Sequence, residues 1–236
     1  MSELLLSALV TLLAAPVVLR VMRRRGIIDV PNHRPSHSTP VPRGGGLACL
    51  AGSAVAVVWF AVRGGSVAWG LVIPAVLLAF VGLADDARSL PAALRLVAQV
   101  AAGAAIGSAA GGGWWICVGA TVAPLVVNVV NFMDGINGIT SLTMVVWGVT
   151  ARAVGTDRDV PTLALLGGVA AGSAFGFLPW NAPVARLFLG DSGSYLFGAV
   201  AAAGIVIGWS SGAYLAAPRL LSPRPTSGAA ASGCTE

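Results

Sequence analysis

Eight stretches of this chain carry almost no charge and are too apolar for a water-facing fold. Residues 4–19, 47–62, 68–84, 94–110, 114–130, 139–154, 160–178 and 194–209 each approach the ~20 residues that span the hydrocarbon core of a bilayer. A backbone in lipid must satisfy its own hydrogen bonds, so such runs become helices. Gln99 and many small residues set the 94–110 run apart. The expectation is an all-α, polytopic bundle of about eight transmembrane helices over 1–210, followed by an irregular, disordered tail over 211–236. Composition agrees: 56% of residues are hydrophobic and only 10% charged, where soluble domains carry about 25% charged residues. Glycine and alanine within the runs favour close helix packing in lipid.

The fourteen basic residues are all arginine. A net charge of +5 could suggest nucleic acid, but the positions argue for membrane topology instead. Threading eight spans alternately puts Arg20, Arg23, Arg24, Arg25, Arg34, Arg43, Arg88, Arg95 and Arg186 on one side, and Arg63, Arg152 and Arg158 on the other. That bias makes the first side cytoplasmic and the N-terminus external. The first apolar run has its arginines after it, which reads as an uncleaved helix rather than a signal peptide. Trp69, Trp114, Trp115, Trp180 and Trp209 fall near the expected interfaces, as an aromatic belt requires. Cys49, Cys117 and Cys234 are scattered without metal-like spacing.

Of the nine acidic residues, Glu3 and Glu236 are terminal, and Asp157 and Asp159 fall on the external side. Asp29, Asp85, Asp86, Asp134 and Asp191 all fall at cytoplasmic helix ends. Ionisable groups next to hydrocarbon are costly and are functional candidates by default. Each has a plainer reading as well. Asn, Asp and Gly around Asp134 make turns unaided, Asp85 and Asp86 could end a helix in water, and Asp191 could cap one. Their gathering on one face favours a site assembled from distant segments. Its oxygen-only donors suit magnesium, which takes one or two carboxylates and shares the rest with waters and substrate phosphates. The first loop adds Asn32, His33, Arg34, His37 and Arg43, with a glycine run whose amides could approach an anion. His33 and His37 are four apart, but Pro31, Pro35, Pro40 and Pro42 forbid the helix that a two-histidine metal site would need.

Four motifs, PNHRPSH…PRGGG, GLADDARSLP, NVVNFMDGING and FLGDSGSYLFG, resemble in order and spacing the polyprenyl-phosphate N-acetylhexosamine-1-phosphate transferases, glycosyltransferase family 4. The set is most similar to the bacterial branch that initiates O-antigen and lipopolysaccharide synthesis, and covers roughly residues 27–198. The resemblance implies transfer of a sugar-1-phosphate from a UDP-N-acetylhexosamine to undecaprenyl phosphate at the bacterial inner membrane. UMP is released, and Mg²⁺ is the cofactor, with Mn²⁺ as the alternative ion. It implies Asp191 and Asp134 as metal ligands, with Asp85, Asp86 and Asp134 catalytic; Asp85 would deprotonate the lipid phosphate. Asn131, Gly135, Ile136, Asn137 and Phe188 would bind the nucleotide, and Arg34, His37 and Arg43 the phosphates. The bilayer is the expected environment, a homodimer an admissible assembly, and nucleic acid is not an expected partner.

Members of that family run on past the last motif into further helices and a loop rich in histidine and arginine. Here the sequence after Trp209 loses its periodicity, and no histidine follows His37. A shortened, inactive member therefore stands as the alternative expectation. An ion-coupled transporter is the rival from another class. Transporters hold substrates near the bilayer midplane between repeated halves, whereas this chain has no internal repeat and its aspartates sit at helix ends.

Overall fold

The computed structural model describes residues 1–29 and 40–214. Eight helices run through them: α1 (Ser2–Arg25), α2 (Gly46–Val62), α3 (Trp69–Arg88), α4 (Ala92–Ala109), α5 (Trp114–Met133), α6 (Ile139–Asp157), α7 (Pro161–Asn181) and α8 (Gly190–Ser210). Each coincides with one apolar run, so the all-α bundle is as expected. Six helices are long and apolar enough to cross a bilayer. Of the other two, α2 has only 17 residues, and α6 carries Arg152 and several threonines. The molecule is a multi-pass membrane protein.

The bundle is built around α8. It packs against α2, α3, α4, α5, α6 and α7, and 83% of its central span is buried, against 17% for α1. Its Gly- and Ala-rich sequence explains the position, since small side chains let neighbouring backbones approach without loss of contact. Around it, α1 packs on α2 and α7, α4 on α5, and α6 on α7.

Two features depart from the sequence reading. A two-residue antiparallel ladder joins β1 (Ile28–Asp29) to β2 (Val41–Pro42), pairing Ile28 with Pro42 and Asp29 with Val41. The helices also outrun their apolar stretches. Asp85 and Asp86, expected at the helix end, lie within the last turn of α3 and Asp191 within the first turn of α8. Hydrogen bonding sustains these polar extensions, as the site shows. Arg34, His37 and the remainder of 30–39 lie outside the described residues, as does the expected tail from 215 onward. Before it, Ser211–Tyr214 form a turn whose Tyr214 hydroxyl donates to the Gly204 carbonyl at 3.2 Å.

Candidate active site

Polar residues at the adjoining ends of α3, α4, α5, α6, α7 and α8 meet through a few specific contacts. Helix α3 stops at Ser89, which adopts a left-handed conformation (φ 48°) and is followed by Leu90-Pro91, a pair that cannot continue a helix. Asp85 holds this turn. Its Oδ1 accepts the Leu90 N–H at 2.7 Å, and its Oδ2 accepts Arg95 Nη1 at 3.0 Å and the Tyr195 hydroxyl at 3.2 Å. Both oxygens are thereby engaged, and Asp85 is only 5% exposed.

The neighbouring Asp86 turns toward α8. Its Oδ1 accepts the Asp191 amide at 2.9 Å and its Oδ2 the Ser192 amide at 3.0 Å. A helix start leaves its first amides without partners, and α8 has no capping side chain of its own. Asp86 supplies that cap from another helix, where the helix dipole also favours a negative charge. The plainer reading of Asp191 as an N-cap is therefore corrected. Asp191 is the second residue of α8, and its Oδ1 instead accepts Asn131 Nδ2 at 2.9 Å. Gly190 makes the turn into α8 at φ +74°, where a Cβ would stand 2.7 Å from Asp86 Oδ2.

Opposite lies the turn between α5 and α6. Asp134 follows the last residue of α5, and Gly138 begins α6 at φ 77°. The Gly138 amide donates to Asn181 Oδ1 at 2.7 Å, and Asn181 Nδ2 donates to the Leu187 carbonyl at 3.3 Å. Buried Asn181, at the end of α7, thus ties the 134–138 turn to the segment that enters α8. Asn137 Nδ2 adds a bond to the Pro183 carbonyl at 3.3 Å.

These contacts enclose a cavity of about 200 Å³ whose lining includes Asn131, Asp134, Gly135, Phe188 and Asp191, together with Asp29, Arg43 and Phe132. Arg43 Nε lies 3.7 Å from Asp29 Oδ1, a pairing made by the β1–β2 ladder. Burial pushes the Asp134 carboxyl up to about 7, and the nearby carboxylates of Asp191 and Asp86 add to the effect. The lining carries three carboxyl groups, Asp29, Asp134 and Asp191, against one guanidinium, Arg43.

Asn131, Asp134, Gly135, Phe188, Asp191 and Arg43 share the cavity. Asp86 lies behind its wall, bonded to the backbone of Asp191. Asp85 is outside the lining, paired with Arg95. Ile136 is 64% exposed and also outside it. One expectation is corrected: the amides of the glycine run are not all free for an anion. Gly45 and Gly46 donate to the carbonyls of Phe188 and Leu189, both at 2.9 Å, fastening the first loop to the last.

Sequence reading missed Arg95, Tyr195, Asn181 and Phe132. Tyr195 was discoverable, because four residues after Asp191 puts it on the same helix face. Phe132, 91% exposed, stands inside a motif already singled out. It also borders an apolar groove of about 480 Å³ on α5, shared with Pro124, Leu125, Asn128 and Val129.

Among the described residues, no three His, Cys, Asp or Glu side chains form a metal cage by themselves. Asp134 and Asp191 supply two carboxylates on one cavity, with one guanidinium and no soft donor. That suits a magnesium ion completed by waters and substrate oxygens.

Comparison with known proteins adds relatives to this geometry. A family model described as glycosyl transferase family 4 matches residues 68–209. The chain is 33% identical over 235 residues to the decaprenyl-phosphate N-acetylglucosaminephosphotransferase of Mycobacterium tuberculosis (strain CDC 1551 / Oshkosh), covering 84% of this chain and 58% of that protein. It is 31% identical to the phospho-N-acetylmuramoyl-pentapeptide-transferase of Desulforudis audaxviator, covering 84% of this chain and 73% of that relative. Against the probable undecaprenyl-phosphate N-acetylglucosaminyl 1-phosphate transferase of Bacillus subtilis (strain 168), identity is 26%, with 82% and 59% covered. The chain thus spans somewhat over half the length of the mycobacterial and Bacillus relatives.

Proposed function

This chain belongs to glycosyl transferase family 4, and on that footing we propose that it transfers a sugar-1-phosphate from a UDP-N-acetylhexosamine to undecaprenyl phosphate. The reaction takes place at the cytoplasmic face of the bacterial inner membrane, releases UMP, and starts assembly of a cell-surface polysaccharide. The observation that carries this reading is the shared cavity of Asp134, Asp191, Asn131 and Arg43, drawn from separate segments onto one face of a membrane bundle. The relatives' names, all lipid-linked sugar-phosphate transferases or the muropeptide counterpart, support the same chemistry.

Bringing a lipid phosphate against a nucleoside diphosphate crowds several negative charges together. Catalysis of such a transfer is largely positioning and charge neutralisation. Asp134 and Asp191 would hold Mg²⁺, which when bound neutralises diphosphate charge and stabilises the departing UMP. Arg43 presents a guanidinium to the phosphates. Asn131 orients the Asp191 carboxylate through its 2.9 Å bond, and Asp86 fixes the backbone that carries it. Gly135 leaves open space for a flat base, with Phe188 as its aromatic wall. The groove on α5 meets the cavity at Phe132, so a hydrocarbon chain lying in the bilayer can end at the carboxylates.

The resemblance implies Asp85 as the base toward the lipid phosphate. Its bonds to Arg95, Tyr195 and Leu90 favour a different role, as a positioning residue for the end of α3.

The deciding assay uses membranes containing the chain, supplied with UDP-N-acetylhexosamine, undecaprenyl phosphate and Mg²⁺. UMP should be released, and Asp191→Asn should reduce release by at least 100-fold, of the order seen when a charge-stabilising group is lost, with the protein level unchanged. No release from the unaltered chain, or full release from the variant, would overturn the reading.

A further inference from the structure

On the same face, α1 and α3 reach their C-terminal ends side by side with almost no direct contact between them. A groove of about 530 Å³ opens in the gap. Its walls are apolar, with Val21 and Ile27 from the α1 side and Phe80 and Leu83 from α3; Phe80 is 52% exposed. Its rim is cationic. Arg25 and Arg88 both line it, both are exposed, and neither has an ion-pair or hydrogen-bond partner among the described residues.

The groove is separate from the carboxylate cavity. On α3, Asp85 and Asp86 bond to residues of α8, as expected of the flank that also carries Gly82, whose Cβ would strike the backbone of Asp191. Phe80, Leu83 and Ala87 follow helical spacing along the other flank. A ligand there touches neither metal-holding carboxylate.

Hydrocarbon walls ending in two exposed guanidiniums complement one kind of molecule in this setting, an amphiphile with an anionic head. We propose that the groove binds an anionic phospholipid of the adjoining leaflet. Its phosphate lies between Arg25 and Arg88, and an acyl chain lies along Phe80 and Leu83, joining two helices that otherwise do not pack. Arginine is suited to this, pairing its donors with phosphate oxygens, and anionic leaflets attract basic residues near helix ends. The bound lipid steadies the end of α3 that presents Asp85 and Asp86.

The test uses the full chain, delipidated in neutral detergent and without nucleotide, so its outcome is independent of sugar-phosphate transfer. Unfolding is followed by tryptophan fluorescence while phosphatidylglycerol or phosphatidylcholine of equal chain length is added. Phosphatidylglycerol should raise the unfolding temperature saturably, and phosphatidylcholine should not. Removing both rim charges (Arg25→Gln with Arg88→Gln) should weaken apparent affinity on the order of 30-fold. The same loss of charge outside the groove (Arg23→Gln with Arg24→Gln) should change it by less than about threefold. Ala87→Trp fills the groove from an exposed position and should abolish the shift with every arginine in place, its helicity checked by circular dichroism. The proposal fails if phosphatidylcholine protects equally, if the outer pair matters as much as the rim pair, or if Ala87→Trp still responds. A shift produced by undecaprenyl phosphate but not by phosphatidylglycerol would also overturn it, assigning the groove to the acceptor.

Discussion

Asp134 shows how one carboxylate registers the charge of the whole cavity. Its proton affinity is raised from the ordinary 3.8 to about 7, first by burial and then by the neighbouring carboxylates. The folded chain therefore holds a proton that the unfolded chain gives up above pH 3.8. Stability from this group is fully present below that value and is lost as pH rises through about 7. On the proposed function a divalent ion would compete with this proton, so Mg²⁺ should raise the unfolding temperature clearly at pH 8 and little at pH 5. Asp134→Asn should flatten both the pH dependence and the Mg²⁺ response. An equal Mg²⁺ shift in the variant would place the ion elsewhere. The importance of Asp134 was legible from the sequence because a carboxylate among asparagines and glycines is conspicuous between apolar runs. The grip of Asn181 on the following turn was not legible. A lone asparagine at a helix end carries no sign of which distant amide it will meet.

Among the helices, α8 depends most on its neighbours. It starts without a cap of its own and takes one from Asp86 on α3, while Asp85 binds the same two helices through Tyr195 and reaches α4 through Arg95. A buried carboxylate stripped of its partner is strongly destabilising, by about 3–5 kcal/mol. The Arg95 side chain is 35% exposed, so Arg95→Met should cost less, about 2–3 kcal/mol. Tyr195→Phe should cost about 1.5–3 kcal/mol, as expected for a hydrogen bond to a charged group. Because both act on one carboxylate, the double variant should depart from additivity by at least 0.5 kcal/mol. SDS-titrated unfolding measures all three, and additive, near-neutral losses would show that Asp85 is not held as described. Helix positions were readable because an apolar run has one outcome in lipid. The reach of α3 and α8 beyond those runs was not, since it depends on cross-helix bonds between residues 105 and 106 positions apart. A pairing of that kind leaves no periodic trace.

At the scale of the whole molecule, the alternation of eight helices puts Asp29, Asp85, Asp86, Asp134 and Asp191 at one end of the bundle. The arginine imbalance readable in the sequence then gives that end its expected orientation. Orientation bears directly on the proposed reaction, because a nucleotide sugar arrives from the cytoplasm, whereas a cavity facing outward would have no donor. Cysteine labelling in intact cells decides it. With Cys49, Cys117 and Cys234 replaced by serine or alanine, Asp159→Cys, between α6 and α7, should react with a membrane-impermeant maleimide added outside. Arg186→Cys, between α7 and α8 and two residues before Phe188 of the cavity lining, should react only after the membrane is permeabilised. The reverse pattern would turn the cavity away from its nucleotide and defeat the transferase proposal, while leaving the helix packing and the lipid groove intact. Both substitutions lie in loops flanking α7, so the same bundle registers both answers, and a shared disturbance of folding would show as loss of labelling at both sites after permeabilisation.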